Sequence, residues 1–374
     1  MEEWERLGSE LLAVHPERCV RVRNRHALCR RCEEACTAQA ITSEGGALAI
    51  KSERCVGCGT CATVCPTGAL EIAYPNDAQL FESAKEAAEA SEGTATFACL
   101  PAARVGGAGE PAPVQVVCLS RLEETLIIGL FAAGVRRVVA KRGDCAHCPR
   151  ANGCASIDLV ARTVDDLVRA WNIPAAYEIV EAPEGACAVD AAAYDRPVAA
   201  ARSNAARAQA GEAPERAAAP VPLARVTQDG TLPHFVPERR EKLLDELACF
   251  GDPVVDEIDC RLWGHATIDR DACASCRMCA VFCPTGALCK FDDDNGRIGV
   301  EHYVAECVHC KLCQDICPES AIASSSVVPA LQLAHSEVER YPMDEPTWHT
   351  GPDQILRRMQ TKIGGREVAA SYGV

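Results

Sequence analysis

The sequence predicts two small α+β modules, each dense in cysteine, flanking a small α/β domain built on a parallel sheet. Three observations lead there. Sixteen of the 25 cysteines form closely spaced runs within two blocks, residues 19–65 and 273–317. Each block holds two cysteine runs separated by a hairpin-like stretch, so the blocks read as copies of one unit. Between them, residues 94–182 alternate short apolar runs with helical periods, the pattern of strands joined by helices in a parallel sheet.

The first module is expected over residues 1–78, with a hairpin from Ala40 to Ile50 turning at Gly45-Gly46. The second covers 261–326, its hairpin running from Ala287 to Val300 through Asp292-Asp293-Asp294-Asn295-Gly296. Apolar flanks around Gly-Gly or Asn-Gly are a strong hairpin signal. The acidic turn is not a calcium loop: with Gly296 sixth, positions one and twelve would be Phe291 and His302. In the α/β domain, 94–185, strands are expected at Thr94–Ala98, Val114–Val117, Arg137–Ala140 and Ala176–Val180. Helices are expected at Leu122–Ala133 and Ile157–Trp171, with Glu123 and Glu124 in the first turn of the former, where the helix dipole favours negative charge. Residues 186–232, rich in Ala, Pro and Arg and without an apolar period, read as a linker. A helical lead-in follows over 233–260, its helix from Pro237 to Phe250. The tail, 327–374, carries no assignable pattern.

The chain has 374 residues and is 48% hydrophobic, enough to build cores of its own. Its 53 acidic residues outnumber 38 basic ones for a net charge of −15, which disfavours nucleic acid and anionic membrane surfaces as partners. The longest apolar stretch, Leu126 to Val135, is too short to span a bilayer. The N-terminus lacks the basic and apolar regions of a secretory signal. Disulfide scaffolds are mostly short secreted chains; here the expectation is a cytoplasmic protein whose reduced thiols hold metal.

The strongest chemical signal is Cys273-x2-Cys276-x2-Cys279-x3-Cys283-Pro284 followed by Cys307-x2-Cys310-x2-Cys313-x3-Cys317-Pro318. Paired runs of this spacing are the signature of bacterial two-cluster iron–sulfur sites, in which the fourth cysteine of each run ligates the other cluster. Cys273, Cys276, Cys279 and Cys317 are therefore assigned to one 4Fe-4S cluster, and Cys307, Cys310, Cys313 and Cys283 to its neighbour, each fourth cysteine being expected to start a helix after its proline. Structural zinc, which also takes four thiolates, is the alternative. The first block is less regular. Cys55-x2-Cys58-x2-Cys61-x3-Cys65-Pro66 keeps the spacing, while its partner is Cys19-x9-Cys29-x2-Cys32-x3-Cys36 with Thr37 in place of proline. The expected sets are Cys19, Cys29, Cys32 and Cys65 for one cluster, and Cys55, Cys58, Cys61 and Cys36 for the other. The enlarged loop carries Arg18, Arg21, Arg23, Arg25, His26, Arg30 and Arg31, which either raise the potential of a nearby cluster or simply form a solvated basic loop. Both modules resemble two-cluster bacterial ferredoxin domains, over roughly 15–75 and 262–325. The resemblance implies ferredoxin-like modules and one-electron transfer, with no chemistry on a substrate.

In the α/β domain Cys99 and Cys118 end the first two strands, and Cys145, Cys148 and Cys154 follow the third. Binding crevices of open parallel sheets lie beyond the carboxyl ends of the strands, so these five residues are expected to supply a fifth iron–sulfur centre, with zinc or plain core cysteines as alternatives. The stretches Val117-Cys118-Leu119-Ser120-Arg121, Phe131-Ala132-Ala133-Gly134-Val135 and Gly143-Asp144-Cys145 make this domain similar to the small iron–sulfur (delta) subunit of methyl-viologen-reducing hydrogenases. Ser120 stands where that family usually has Gly, and Ala140-Lys141-Arg142 where it tends to show Gly-Cys-His. The likeness implies electron relay to a partner. His147 and His309, each between two cysteines, read as flanking residues, and Gly106-Gly107-Ala108-Gly109 as a loop. Cys187, Cys249, Cys260 and Cys289 are expected in core packing.

These readings combine into an expected function. The chain carries four 4Fe-4S clusters and a further centre, and is the electron-relay subunit of a larger cytoplasmic oxidoreductase. Catalysis lies on a flavin, molybdenum or hydrogenase partner, since no flavin or nicotinamide fingerprint is present. The alternatives are an iron–sulfur enzyme with an open-site cluster in the middle domain, and a redox-sensing or scaffold metal protein.

Overall fold

A computed structural model describes residues 11–44, 47–51, 53–73, 75–103, 111–148, 151–182 and 231–344. The turn at Gly45-Gly46, the stretch Gly106–Gly109, Cys187, all but the last two residues of the expected linker, and the tail beyond 344 lie outside the described residues.

The N-terminal part is made of short pieces, as expected where metal ligands rather than long elements organise the chain. Strand β1 (Leu12–Val14) is followed by helix α1 (Val20–Arg23) and helix α2 (Arg31–Glu34). The hairpin β2 (Ile41–Glu44) and β3 (Ala47–Ile50) leads to helix α3 (Thr60–Val64) and strand β4 (Leu70–Ile72). β1 and β4 pair antiparallel, Leu12 opposite Ile72 and Val14 opposite Leu70. The core between them is Leu12, Ile41, Leu70 and Ile72 with cysteine sulfurs interleaved.

Helix α4 (Asp77–Glu89) comes next, with no counterpart in the sequence expectations. Asn76 and Gln79 close a capping box at its start, and its apolar face is mostly alanine, Ala84 and Ala88 beside Leu80. Its weak hydrophobic signature explains why periodicity missed it. Strand β5 (Thr94–Cys99), helix α5 (Leu100–Ala103), β6 (Val114–Val116), helix α6 (Glu124–Ala132), β7 (Arg137–Arg142), helix α7 (Cys154–Ala170) and β8 (Ala176–Glu181) follow. The four strands form one parallel sheet in the order β6-β5-β7-β8. Helix α7 starts three residues earlier than its apolar period, because Cys154 opens it, and α6 starts two later, with Glu123 as its cap.

The last part begins with helix α8 (Glu238–Ala248). Strands β9 (Glu257–Asp259) and β10 (His265–Ile268) lead to helix α9 (Met278–Phe282) and the hairpin β11 (Leu288–Asp292) and β12 (Ile298–Tyr303). Helix α10 (Leu312–Ile316), β13 (Ile322–Ser325), β14 (Val327–Pro329), helix α11 (Ala330–Ala334) and β15 (Val338–Met343) complete it. β10 pairs with β13, β14 with β9, and β15 adds to the β11-β12 hairpin as its third strand. The segment 327–343, which offered no pattern in the sequence, is thus ordered: β15 carries the adjacent Glu339 and Arg340 before a buried Tyr341 and is held by its neighbour β12.

One core joins the α/β domain to the C-terminal part. Phe97, Ile127, Leu130, Val164 and Leu167 are packed in the same cluster as Leu243 and Leu247 of α8 and as Trp263, Val328 and Leu333. Glu123 and Glu124 do more than suit a helix dipole. Both are buried, and Arg261 grips Glu124 with two bonds of 2.8 and 2.7 Å while Arg239 bonds Glu123 at 3.3 Å. Of the cysteines expected in the core, Cys260 is buried, Cys289 is half-buried and donates to the Gly286 carbonyl, and Cys249 is exposed at the end of α8. Among the described residues no helix is long and apolar enough to cross a membrane.

Candidate metal centres

The three regular cysteine runs share one backbone. Gly57 and Gly59, between Cys55 and Cys61, take φ of +64° and +85°; the same positions in the other runs are Ser275 and Arg277 at +56° and +51°, and His309 and Lys311 at +49° and +64°. A left-handed residue at every second position turns successive N–H groups into one concavity, the nest that recurs at iron–sulfur and other anionic sites. Glycine is obligatory at position 59 for a second reason: a Cβ there would fall 2.4 Å from Arg121 Cδ. Each run then enters a five-residue helix that carries the third cysteine, Cys61, Cys279 or Cys313. The fourth cysteine, Cys65, Cys283 or Cys317, caps the C-terminus of that helix rather than starting a helix, because the proline after it has no N–H with which to continue. All four fourth cysteines accept a backbone N–H from four or five residues on: Cys36 from Ala40 at 3.1 Å, Cys65 from Ala69 at 3.3 Å, Cys283 from Leu288 at 3.5 Å and Cys317 from Ala321 at 3.3 Å. Such bonds favour the thiolate.

The thiols gather in sets. Cys19, Cys29, Cys32 and Cys65 line one cavity together with Val14, Val20, Ile41 and Leu70. Cys36, Cys55, Cys58 and Cys61 line a second, walled by Leu12, Ile50 and Ile72. Burial, then the like charges of Cys65, Cys19 and Cys29, push the Cys32 thiol far up; burial, then Cys58 and Cys55, do the same to Cys61. In the second block burial and the neighbouring Cys310, Cys307 and Cys283 raise Cys313, and Cys276 is raised by burial and, among its neighbours, by Cys317 and Cys273. Four thiolates at such a point repel one another, so each set is stable in its charged form only around positive charge.

The spacing of the sulfurs bears on which cation. Sulfurs around a single tetrahedral zinc, at about 2.3 Å bonds, lie about 3.8 Å apart. Among the described residues no three of these sulfurs lie within 4.8 Å of one another. Quartets of thiols in closed apolar pockets are donor sets that a multinuclear thiolate-ligated group such as a 4Fe-4S cluster accepts.

At the carboxyl edge of the parallel sheet, Cys99 accepts the Gly143 N–H at 3.3 Å. Burial, then Cys58 and Cys99, push Cys118 up to about 12 against the lowering bond from Ser120. Cys145, in the short turn after β7, is raised by burial and then by Cys154 at the start of α7, with Cys118 adding to it. Cys99, Cys118, Cys145 and Cys154 thus converge. Cys148 closes the turn with its N–H on the Cys145 carbonyl at 3.3 Å. Gly153 supplies room, since a Cβ there would meet the Cys118 sulfur at 3.0 Å and the Thr37 side chain at 3.2 Å. His147 is exposed and paired with Asp144, whereas His309 is buried with its ring against Gly264.

Sequence reasoning missed the residues that join these sites. Ser120 is fully buried; its hydroxyl meets that of Thr60, and its carbonyl accepts from Thr63 at 2.9 Å. Thr37 donates to the Cys58 sulfur at 3.0 Å. The basic loop is not simply solvated. Arg23 is buried and donates to the carbonyls of Pro233 at 2.8 Å, Cys283 at 3.2 Å and Phe282 at 3.4 Å. Arg31 reaches the His309 carbonyl at 3.0 Å, and the Leu28 N–H bonds Asp315 at 2.9 Å. Between these staples, Val20, Ala27 and Leu312 form an apolar seam on which Cys29, Phe282, Cys310 and Ile316 pack. Arg239 ties α8 to the carbonyls of Ala62 and Cys65. Only the cysteine spacing could be read in advance; the staples join residues between 174 and 287 positions apart and leave no local pattern.

Three stretches match family models described as 4Fe-4S binding domains, residues 48–71, 265–288 and 305–320. With the nests and thiol sets, these matches define an iron–sulfur protein with ferredoxin-type domains. Among curated proteins the chain is 42% identical over 50 residues to the electron transport protein HydN of Escherichia coli (strain K12), covering 12% of this chain and 29% of that one. It is 39% identical over 49 residues to the putative electron transport protein YsaA of the same strain, covering 12% and 31%. The chain thus spans less than a third of the length of these relatives. No solved structure matches it significantly.

Proposed function

We propose that this chain is an electron-relay protein holding four 4Fe-4S clusters, one per cysteine quartet, and a further iron–sulfur centre on Cys99, Cys118, Cys145 and Cys154. Such clusters, when bound, supply one-electron transfer with little rearrangement of their ligands. The observation that carries the reading is the order of the thiol sets in space. Cys118 is near enough to Cys58 to feel its charge. The Cys61 thiol feels Cys32 of the neighbouring set. Cys310 is raised by burial and by its own set, and also by Cys29 across the seam between the modules. Cys313 in turn feels Cys279. Each of the five sets therefore has the next as a neighbour, in the series sheet edge, Cys36/55/58/61, Cys19/29/32/65, Cys283/307/310/313 and Cys273/276/279/317. A series of neighbouring sets suits a subunit that passes electrons between two partners. One partner is proposed to carry the catalytic flavin, molybdenum or hydrogenase site. The protein's part is to hold each set dry and fixed: Arg23, Arg31 and the Val20–Ala27–Leu312 seam fasten the two middle sets together, and Thr60, Ser120 and Gly153 fasten the sheet edge to the first module.

The test is iron, acid-labile sulfide and zinc per chain on anaerobically purified protein, followed by EPR on stepwise reduction. Four cubes require about 16 iron and 16 sulfide, and the further centre adds two to four iron. Interacting spins between the two modules are expected as reduction proceeds. Four zinc ions with little iron would sink the relay reading, and 16 iron without the excess would remove the centre at the sheet edge alone.

A further inference from the structure

Outside the cysteine sets, one group of side chains gathers as metal ligands do. His265 lies on β10, His302 on β12 and Glu339 on β15, and one donor atom from each falls within 4.8 Å of the other two. His302 and Glu339 face each other directly across the β12–β15 pairing, so both side chains leave the same side of that sheet. His265 comes from the separate β10-β13 sheet. Its Nε2 lies 2.8 Å from Glu339 Oε2, and its ring stacks on that of His302 with centroids 5.7 Å apart.

The second observation concerns His302 alone. Its side chain is fully buried, and neither Nδ1 nor Nε2 has a hydrogen-bond partner. An unpaired buried ring nitrogen costs about 1–3 kcal/mol, and two on one imidazole call for an explanation. A cation between the three side chains supplies one for the nitrogen that lies within 4.8 Å of the other two donors. His265 and Glu339 remain partly open, at 21% and 36% side-chain exposure, which leaves an entry path and a free coordination position. Tyr341 borders the site, its hydroxyl donating to the Ala266 carbonyl at 3.2 Å.

We infer that His265, His302 and Glu339 bind a divalent first-row transition ion, with zinc as the best match, separate from the iron–sulfur sets. Two imidazoles and one carboxylate are a donor set that zinc accepts at about 2.0–2.2 Å, leaving a fourth position for water or an outside ligand. Ligands at such bond lengths lie about 3.3 Å apart in a tetrahedron; His265 Nε2 and Glu339 Oε2 stand at 2.8 Å and all three donor atoms lie within 4.8 Å of one another, so side-chain rotation brings the trio to that geometry. The ion would pin β15 and the hairpin β11–β12 to the β10–β13 sheet, and so fasten the C-terminal strand over the module that holds two cysteine quartets.

The experiment uses the full chain, purified anaerobically with its iron in place and dialysed against zinc ion. One zinc per chain is expected. Its K-edge absorption should show a nitrogen and oxygen shell with the outer scattering of imidazole, and no sulfur. His302→Gln and Glu339→Gln should each weaken zinc binding at least tenfold while iron per chain stays unchanged. Glu339→Gln sits at a partly exposed position and is the second arm should His302→Gln fail to fold. The absence of bound zinc at micromolar concentration, a sulfur shell, or wild-type affinity in Glu339→Gln would each overturn the inference. Iron content reads the relay proposal independently, so the loss of one does not mimic the loss of the other.

Discussion

At the scale of single residues, the cysteine loops are governed by backbone handedness. Gly59 combines φ of +85° with a side-chain direction blocked by Arg121. A β-branched residue cannot take that conformation without strain of about 1–3 kcal/mol, and the clash adds to it. Gly59→Val is expected to destabilise the protein by at least about 2 kcal/mol and to lower its iron content. Gly251 has φ of +88° with nothing within 4 Å of its missing Cβ, so Gly251→Ala should cost only about 1 kcal/mol and leave iron intact. Anaerobic thermal melts with iron assays on the two variants separate conformational strain from the steric block. Equal losses would show that the contact with Arg121 matters little. Ser275, Arg277, His309 and Lys311 hold left-handed backbone without glycine, so residue type alone does not mark the nest in these runs.

At the scale of elements, α8 is held by charge as much as by its apolar face. Its Glu246 lies across Gly129 of α6, where a Cβ would fall 2.4 Å from the carboxylate, so the glycine lets the two helices approach. Burial lifts the Glu246 carboxyl to about 7, against the lowering effect of Lys242. An acid whose folded value lies above its unfolded value of 4.5 is more readily deprotonated in the unfolded chain. Its contribution is therefore most favourable below about pH 4.5 and is lost progressively as pH rises to about 7, with no further change above. Glu246→Gln should then stabilise the protein by on the order of 1 kcal/mol at pH 8, after discounting for solvent, and by little at pH 5. Melting temperatures of both proteins across that range check it; a constant difference at all pH values would mean the carboxyl is not buried in its charged form. Periodicity located α8 and the four strands of the parallel sheet to within two residues. It missed α4, whose packing face is mostly alanine, and β15, whose adjacent Glu339 and Arg340 and whose Pro342 look like surface until β12 pairs with it.

At the scale of the whole molecule, the parts differ in what holds them together. The α/β domain, α8 and the segment around Trp263 share a large aliphatic core. The N-terminal module has a small one, with cysteine sulfurs among its buried atoms, as does the module around Ala266, Ile268 and Leu288. Metal binding is then part of their folding free energy. Stripping iron should unfold the two modules and spare the shared core. By hydrogen exchange, amides of β1, β4, β10 and β13 should lose protection in the iron-free chain, while those of β5, β7, α6 and α7 keep theirs. Protection retained throughout would mean that the modules fold without their clusters, and uniform loss that the shared core depends on them.

What the sequence by itself determined is the ligand chemistry. A spacing of two, two and three residues before proline is a local property, because three thiolates from one short loop reach one metal group without help from elsewhere in the chain. The apolar periods of the middle domain are local in the same sense. Tertiary structure decided how these parts meet. That Cys29 shares a seam with Cys310, that Ser120 and Gly153 bring Cys118 beside Cys58, and that Arg23 reaches carbonyls near Phe282 all depend on pairings across more than a hundred residues or between separate loops. The trio His265, His302 and Glu339 is of the same kind, three strands each contributing one side chain. Such sites carry no spacing rule, since their geometry is set by sheet register and packing rather than by the reach of a single loop.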